Sequence, residues 1–385
     1  MRLHKYLIAF AFCSTLPTAH AAITVGRCDA RSRSFATITQ AIAAARAGET
    51  INICPGSYPE QLTITKSLVL RGISIAGQPG ATITAPAAGL QPLPAGSSSY
   101  PQVYINHAGL VSISNLGVDG TNANIVSHAI TFDTTTACQV GFLKDFPGIY
   151  VVNTTTQVAN VGVSAHFAYS GSPEATQLYP NCGSGIEFSN RGEQAIVTDS
   201  VINSYGYTGI SSTGPLQALR NVLTGPSGPY QVGIEAPASS SVIANNTVTG
   251  AQFNQSTGIQ GGWEVNDNVV QGWMTGIIGA RLVYHNTLVN NAIGIASPEQ
   301  ALTNLVTAPV RYNDPNCQTQ SCAPDQTTKP TIGIEMQCED ASLVLENGFV
   351  GLGVGVADVK RSTSAVTSNS YAGAGVLSTG CAVSN

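Results

Sequence analysis

Charge is scarce in this chain. Asp, Glu, Lys and Arg make up 10% of its 385 residues, against about 25% in an ordinary globular protein, which argues against coiled coils and long solvated helices. Lys and Arg total 16 and never cluster, and the formal net charge is −5. No phosphate-binding surface can be assembled from so few scattered cations, so nucleic acid is not an expected partner. Beyond the first residues no stretch approaches the roughly 20 apolar residues of a membrane-spanning helix. The cysteines form no CxxC pairs and the Asp/Asn loops match no calcium-loop spacing, so no metal and no cofactor are expected. Disorder is excluded as well, because hydrophobic residues reach 43%.

At the start, Arg2 and Lys5 precede an apolar run from Tyr6 to Cys13, and Ala19-His20-Ala21 has the small-x-small form of a cleavage site. Residues 1–21 read as a signal peptide, and export makes secretion, extracellular or periplasmic, the expected destination. Of nine cysteines, Cys13 leaves with the leader. Eight remain, an even number that suits disulfides in an oxidising compartment. The expected pairs are Cys28 with Cys54, Cys138 with Cys182, Cys317 with Cys322 and Cys338 with Cys381.

The body of the sequence repeats. A Gly followed by Ile or Val recurs at Gly148, Gly185, Gly209, Gly233, Gly258, Gly276, Gly294, Gly333, Gly355 and Gly375. A second marker, an amide followed by alternating apolar residues, recurs at Asn115, Gln139, Asn160, Asn221, Asn246, Asn268, Asn286, Asn304, Asn347 and Asn369, with Ser200 in one slot. Most steps run from 18 to 25 residues, with two longer steps that contain insertions. Such a period is too short for a helix pair and suits one turn of three short strands. A turn of that size cannot bury its apolar side alone, whereas stacked turns share a continuous core. Stacking at about 4.8 Å also explains the amides, since an Asn at the same bend of every turn can hydrogen-bond its neighbours above and below.

Phe35, Ile38, Ile42 and Ala45 have helical spacing and predict a short amphipathic helix that caps the first turn. The expected organisation is an N-terminal segment with this helix over residues 22–49 and a solenoid over 50–385, with loop insertions near 85–101, 167–183 and 305–331. The repeat, the capping helix and the alternating strands from Ile51 to Ile75 resemble right-handed parallel β-helix proteins of the pectin-lyase-like superfamily. The fold this implies is all-β, a right-handed parallel β-helix. Gly56-Ser57-Tyr58-Pro59-Glu60 resembles the Gly-x-Tyr-x-Glu segment of pectin methylesterases, but the paired aspartates and arginine of that family have no counterpart here. Signatures of polygalacturonases, pectate lyases and uronate epimerases are missing too, so chemistry must come from this chain's own groups.

In each Gly-Ile-x strand the Ile faces inward and x outward. Glu187 and Glu235 both occupy x and fall two turns apart, roughly 10 Å by strand spacing, near the upper separation of the acid-base pair in inverting glycosidases. Gln260 holds x one turn further on. Tyr205, Tyr207, Tyr230, Phe253 and Trp273 stand just before Gly-Ile strands and Trp263 just beyond Gln260, as aromatic platforms for sugar rings would. The leading reading is a secreted, monomeric, carbohydrate-active protein with Glu187 and Glu235 as an acid-base pair and Tyr205, Tyr207, Tyr230, Trp263, Trp273 and Gln260 binding a polysaccharide. The alternative is a non-catalytic glycan-binding or cell-surface structural β-helix. A polysaccharide lyase or epimerase is the third option, its base sought at His166 or His285; the mature histidines, with His107 and His128, form no ligand motif.

Overall fold

A computed structural model describes residues 23–28, 33–93, 99–121, 146–166, 183–225, 231–250, 256–309, 311–313, 328–336, 342–358, 365–373 and 376–379. Three parallel sheets of 14, 12 and 12 strands run the length of the molecule. The chain visits them in rotation, once per coil. From Leu216–Leu219 in the first sheet it turns into Val222–Thr224 in the second, then Val232–Ala236 in the third, and re-enters the first at Val242–Ala244. The fold is a right-handed parallel β-helix, the hand that parallel crossovers adopt.

Alternation puts every second side chain inside, and in-register stacking lines those side chains up in columns. Ala218, Ile243, Val265 and Val283 stack in the first sheet, Leu223, Val248, Val270 and Leu288 in the second, and Ile210, Ile234, Ile259 and Ile277 in the third, all fully buried. Each aliphatic removed from water contributes on the order of 2 kcal/mol.

The bend between the first and second sheets takes two residues. The first adopts a left-handed conformation, as at Arg220 (φ 57°), Asn245 (59°), Asp267 (54°) and His285 (55°). The second points its side chain inward, and from Asn221 to Asn369 it is asparagine in every coil. Each Nδ2 donates to the Oδ1 of the next coil's asparagine at 2.9–3.0 Å. The same Oδ1 accepts the backbone N–H of the preceding asparagine at 2.8–3.0 Å. The other Nδ2 hydrogen goes to a first-sheet carbonyl one coil back, Val197 for Asn221 and Ile243 for Asn268. The ladder amides from Asn221 to Asn347 are thereby paired at both ends, which is the condition for burying them at all.

Asn115 and Asn160 belong to a different column. They occupy the left-handed first position of the bend (φ 57° and 53°), where Asn160 donates to Asn115 at 2.8 Å on the outside. Leu116 and Val161 take the buried second position in those coils, so the interior ladder starts only at Ser200 and Asn221. Both bend positions favour asparagine, one for its tolerance of positive φ and the other for its pairing.

The N-terminal end is closed by the helix Ile38–Ala44, which buries Ile38, Ala41 and Ile42. It begins three residues later than the apolar spacing suggests, because Phe35 ends the strand Arg33–Phe35 and Thr37 caps the helix, its side chain accepting from the N–H of Gln40. The Gly56–Glu60 segment serves this closure. The Tyr58 hydroxyl donates to the carbonyl of Cys54 at 2.8 Å, and the Glu60 carboxylate accepts from the N–H groups of Ile38 and Thr39 at 2.8 Å each. Cys28 is bonded to Cys54, clamping the first strand to the first coil. The other three expected disulfides lie outside the described residues, as does Gln139. Within 305–331, Leu305–Thr307 still runs in the second sheet, so the excursion starts after it and returns through an antiparallel pair, Arg311–Asn313 with Thr328–Pro330.

Asn268→Ala removes the acceptor that Asn246 uses twice and the donor that Asn286 receives. We expect a loss of about 3 kcal/mol or more in urea unfolding, whereas Thr287→Ala on the outward face of the second sheet should change stability by less than about 1 kcal/mol.

Candidate functional site on the third sheet

In the Gly-Ile pairs from Gly185 to Gly333 the glycine is required by close approach. A Cβ on Gly258 would lie 2.5 Å from the Val270 side chain and 2.6 Å from the carbonyl of Gly276, and one on Gly276 would meet Gly294 and Leu288 in the same way. With the corner drawn in, the next residue turns its side chain to the core and the one after it faces out. The strand register assembles the outward residues into one column: Tyr104, Tyr150, Glu187, Ser211, Glu235, Gln260, Ile278, Ala296, Glu335 and Ala357.

Glu187 and Glu235 stand two coils apart on that column with Ser211 between them. A cleft of about 560 Å³ opens at Glu235 and is lined also by Gln260, Thr257, Ser212, Thr213 and Ile278. Glu187 does not line it. Burial pushes the Glu235 carboxyl above the ordinary carboxylate range, and no Lys or Arg lines the cleft to pull it back. Tyr207, 37% exposed, precedes the strand Thr208–Ser212. Its hydroxyl is raised by its own burial and then by the charge of Glu235, which places the two groups within electrostatic reach.

Three sequence-derived binding residues have other positions. Tyr205 and Trp273 are fully buried and cannot meet a glycan. Trp273 donates its indole N–H to the carbonyl of Val248 at 3.1 Å and fills the space above Gly250, where a Cβ would come within 2.5 Å of it. Both aromatics replace the aliphatic filling at the corner between the second and third sheets. Trp263 is 40% exposed but stands round the corner toward the first sheet, with the Arg281 guanidinium 3.9 Å above its ring and Arg281 paired to Glu299 at 2.7 Å. Tyr230 lies outside the described residues, as do Phe253 and His128. His285 occupies the left-handed bend position between the first and second sheets, 3.8 Å from Asp267 and away from this face.

The structure adds a platform that the repeat concealed. Tyr104 and Tyr150 are stacked with ring centroids 5.8 Å apart, directly preceding Glu187 on the column. Tyr150 follows a Gly-Ile pair, but Tyr104 follows Gln102-Val103, so its coil carried no glycine marker. Among the described residues no group of three or more His, Cys, Asp or Glu could hold a metal ion, and no helix is long and apolar enough to cross a membrane.

A family model described as a protein of unknown function, DUF1565, matches residues 26–171. No curated protein sequence matches the chain. Among solved structures, the chain is similar to pectin methylesterase PemA from Erwinia chrysanthemi at 16% identity and a TM-score of 0.41, over 78% of this chain and 84% of that one. It is similar to the A-module of the Azotobacter vinelandii mannuronan C-5 epimerase AlgE4 at 13% identity and a TM-score of 0.43, over 90% and 94%. The Dettilon tailspike protein matches at 14% identity and a TM-score of 0.48, over 87% of this chain and 64% of its own.

Because the folded state raises the Glu235 pKa, its protonated form favours folding, and that contribution is lost as pH rises from the ordinary glutamate value through the raised one. Glu235→Gln should therefore match the wild type in melting temperature near pH 4 and exceed it at pH 7. A difference that is constant across this range would mean that Glu235 titrates normally. Trp273→Ala should cost about 3–5 kcal/mol in unfolding, while Tyr207→Phe leaves stability nearly unchanged.

Proposed function

We propose that the protein acts on a polysaccharide lying along the outward column of the third sheet, as a glycoside hydrolase with Glu235 as general acid and Glu187 as general base. The observation that carries this reading is the setting of Glu235: a half-buried carboxyl, held toward its protonated form, on the wall of an open cleft with hydroxyl and amide groups around it. A protonated carboxyl is what a departing glycosidic oxygen needs. Glu235 gives its proton to that oxygen as the bond to the anomeric carbon breaks. Glu187 takes a proton from the water whose oxygen bonds to the same carbon, and exchange with solvent restores both carboxyls. Two coils separate the pair by roughly 10 Å, beside the upper limit of about 9.5 Å for such a mechanism. The stacked Tyr104 and Tyr150, with Tyr207 and Gln260, supply rings and polar groups for neighbouring sugar units. The Cys28–Cys54 disulfide suits the oxidising compartment to which a cleaved leader delivers the chain.

A second reading draws on the position of Glu187 outside the cleft lining. It makes the face a non-catalytic glycan-binding surface with Glu235 as a hydrogen-bond donor. An elimination route has less support, since Arg281 is paired and His285 faces elsewhere.

Glu187→Gln and Glu235→Gln separate the readings in an assay that follows both new reducing ends and the ultraviolet absorbance of unsaturated uronates. A hydrolase yields reducing ends without absorbance and loses about 100-fold or more in kcat in either variant, with binding retained. Full activity in both variants would remove the pair, and binding without turnover in the wild type would leave the second reading.

A further inference from the structure

The hydrophobic side chains left in water are not spread evenly over the molecule. Among the described residues eight large ones are exposed, and five of them, Val201, Val222, Val269, Leu305 and Val350, stand on the outward face of the second sheet at 37–47% exposure. Register gathers them. Val201, Val222, Thr247, Val269, Thr287 and Leu305 follow one another along a single column. The column beside it, from Thr224 to Val350, is threonine and valine with one glutamine. Over all twelve strands the two outward columns hold one acidic residue, Asp119, and no Lys or Arg. Asp119 is occupied locally, its Oδ1 accepting from the N–H of Thr121 at 2.8 Å and from the hydroxyl of Ser164 at 3.3 Å.

Outward positions in this fold do accept charge. Arg71 and Glu264 occupy them on the first sheet, and Glu235 and Glu335 on the third. Around the second sheet the described charges stand at the rims instead. Asp199 paired with Arg220 at 2.7 Å, Asp267 beside His285 at 3.8 Å, and Glu346 line the bend from the first sheet. Glu60 is spent on the capping helix, and Arg311 and Lys329 belong to the antiparallel pair reached after Thr307. An uncharged, partly apolar centre within a charged rim is the layout of a protein–protein contact.

We infer that the second sheet is the contact face of a homodimer, packed sheet to sheet against the same sheet of a second copy. A two-fold contact sets a patch against itself, so a charge on it meets its own kind. This face offers a single charge, already bonded, in two columns of twelve positions. Its valine, threonine and leucine side chains suit the roughly 10 Å separation of stacked sheets. Twelve strands at about 4.8 Å, each about 10 Å long, make a face of about 58 Å by 10 Å. Two copies would withdraw roughly 1,200 Å² from water, the lower bound for a specific interface, which fits a reversible dimer rather than an obligate one. The dimer stands in place of the monomer expected from the sequence. Its contact uses no residue assigned to glycan binding, and it holds whether or not the third sheet takes a polysaccharide.

The test is the mass of the purified protein in solution, by sedimentation equilibrium from about 1 to about 200 µM protein at about 20 mM and about 500 mM salt. The expected result is a mass that climbs from one chain toward two at both salt concentrations, because the contact carries almost no charge. Val222→Lys and Val269→Lys bring like charges into the contact and should weaken the dimer at least about tenfold. Both positions face outward, so the melting temperature should change little. Ser112→Lys, outward on the first sheet, should leave the dimer as it is. A single-chain mass across the whole range would overturn the inference without any variant. So would a dimer that withstands both valine substitutions, one that Ser112→Lys dissolves equally, or one lost at the higher salt, which would put ionic contacts of the rim in its place.

Discussion

Parallel stacking in register, at one strand spacing per coil, is the constraint on which the rest of this molecule depends. It forces each position in a coil to meet its own equivalent above and below. Apolar residues gain from that arrangement by forming columns, and charged residues lose by it, since like would face like. A polar residue survives inside only if it can donate upward and accept downward at once. Asparagine does so with one short side chain, and the ladder from Asn221 to Asn369 satisfies both the amides and the backbone of the bend. The scarcity of charge along the chain follows from the same rule.

Stacking also explains how a binding face arises without a dedicated domain. Outward residues follow the register as strictly as inward ones, so substituting one residue per coil writes a linear surface on which groups recur at a fixed interval. The third sheet uses this freedom, with paired tyrosines, then glutamates, then a short apolar run. The corner glycines make it possible by letting backbones approach where any Cβ would collide. The resulting surface is rigid because it is built on strands, and its chemistry is set by the few positions that depart from small or neutral residues.

Closure of the N-terminal end draws on the segment that had suggested an esterase. Tyr58 and Glu60 spend their polar groups on Cys54 and on the first turn of the capping helix. Their side chains are committed to ending the stack, where the first coil has no preceding coil to satisfy it. A motif shared with enzymes can thus persist for the architecture alone.

The repeat, the three-strand coil, the inward isoleucines and the outward glutamates were legible in the sequence because each is a local rule, alternation or fixed spacing, applied many times. The Cys28–Cys54 bond and the capping helix were legible for a similar reason, although the helix start was displaced by the cap at Thr37. What only the tertiary structure decided is which side of a corner a residue falls on. Asn115 and Asn221 look alike as ladder markers, yet one sits outside at positive φ and the other inside, separated by a single step along the bend. Tyr205 and Trp273 look like Tyr207 as residues before a Gly-Ile strand, but they turn into the core where glycines at neighbouring coils leave room. Spacing specifies the coil and the strand; the direction of a side chain at a corner depends on the volume left by residues one coil away, some 20 positions distant in the chain, and no local pattern carries that information.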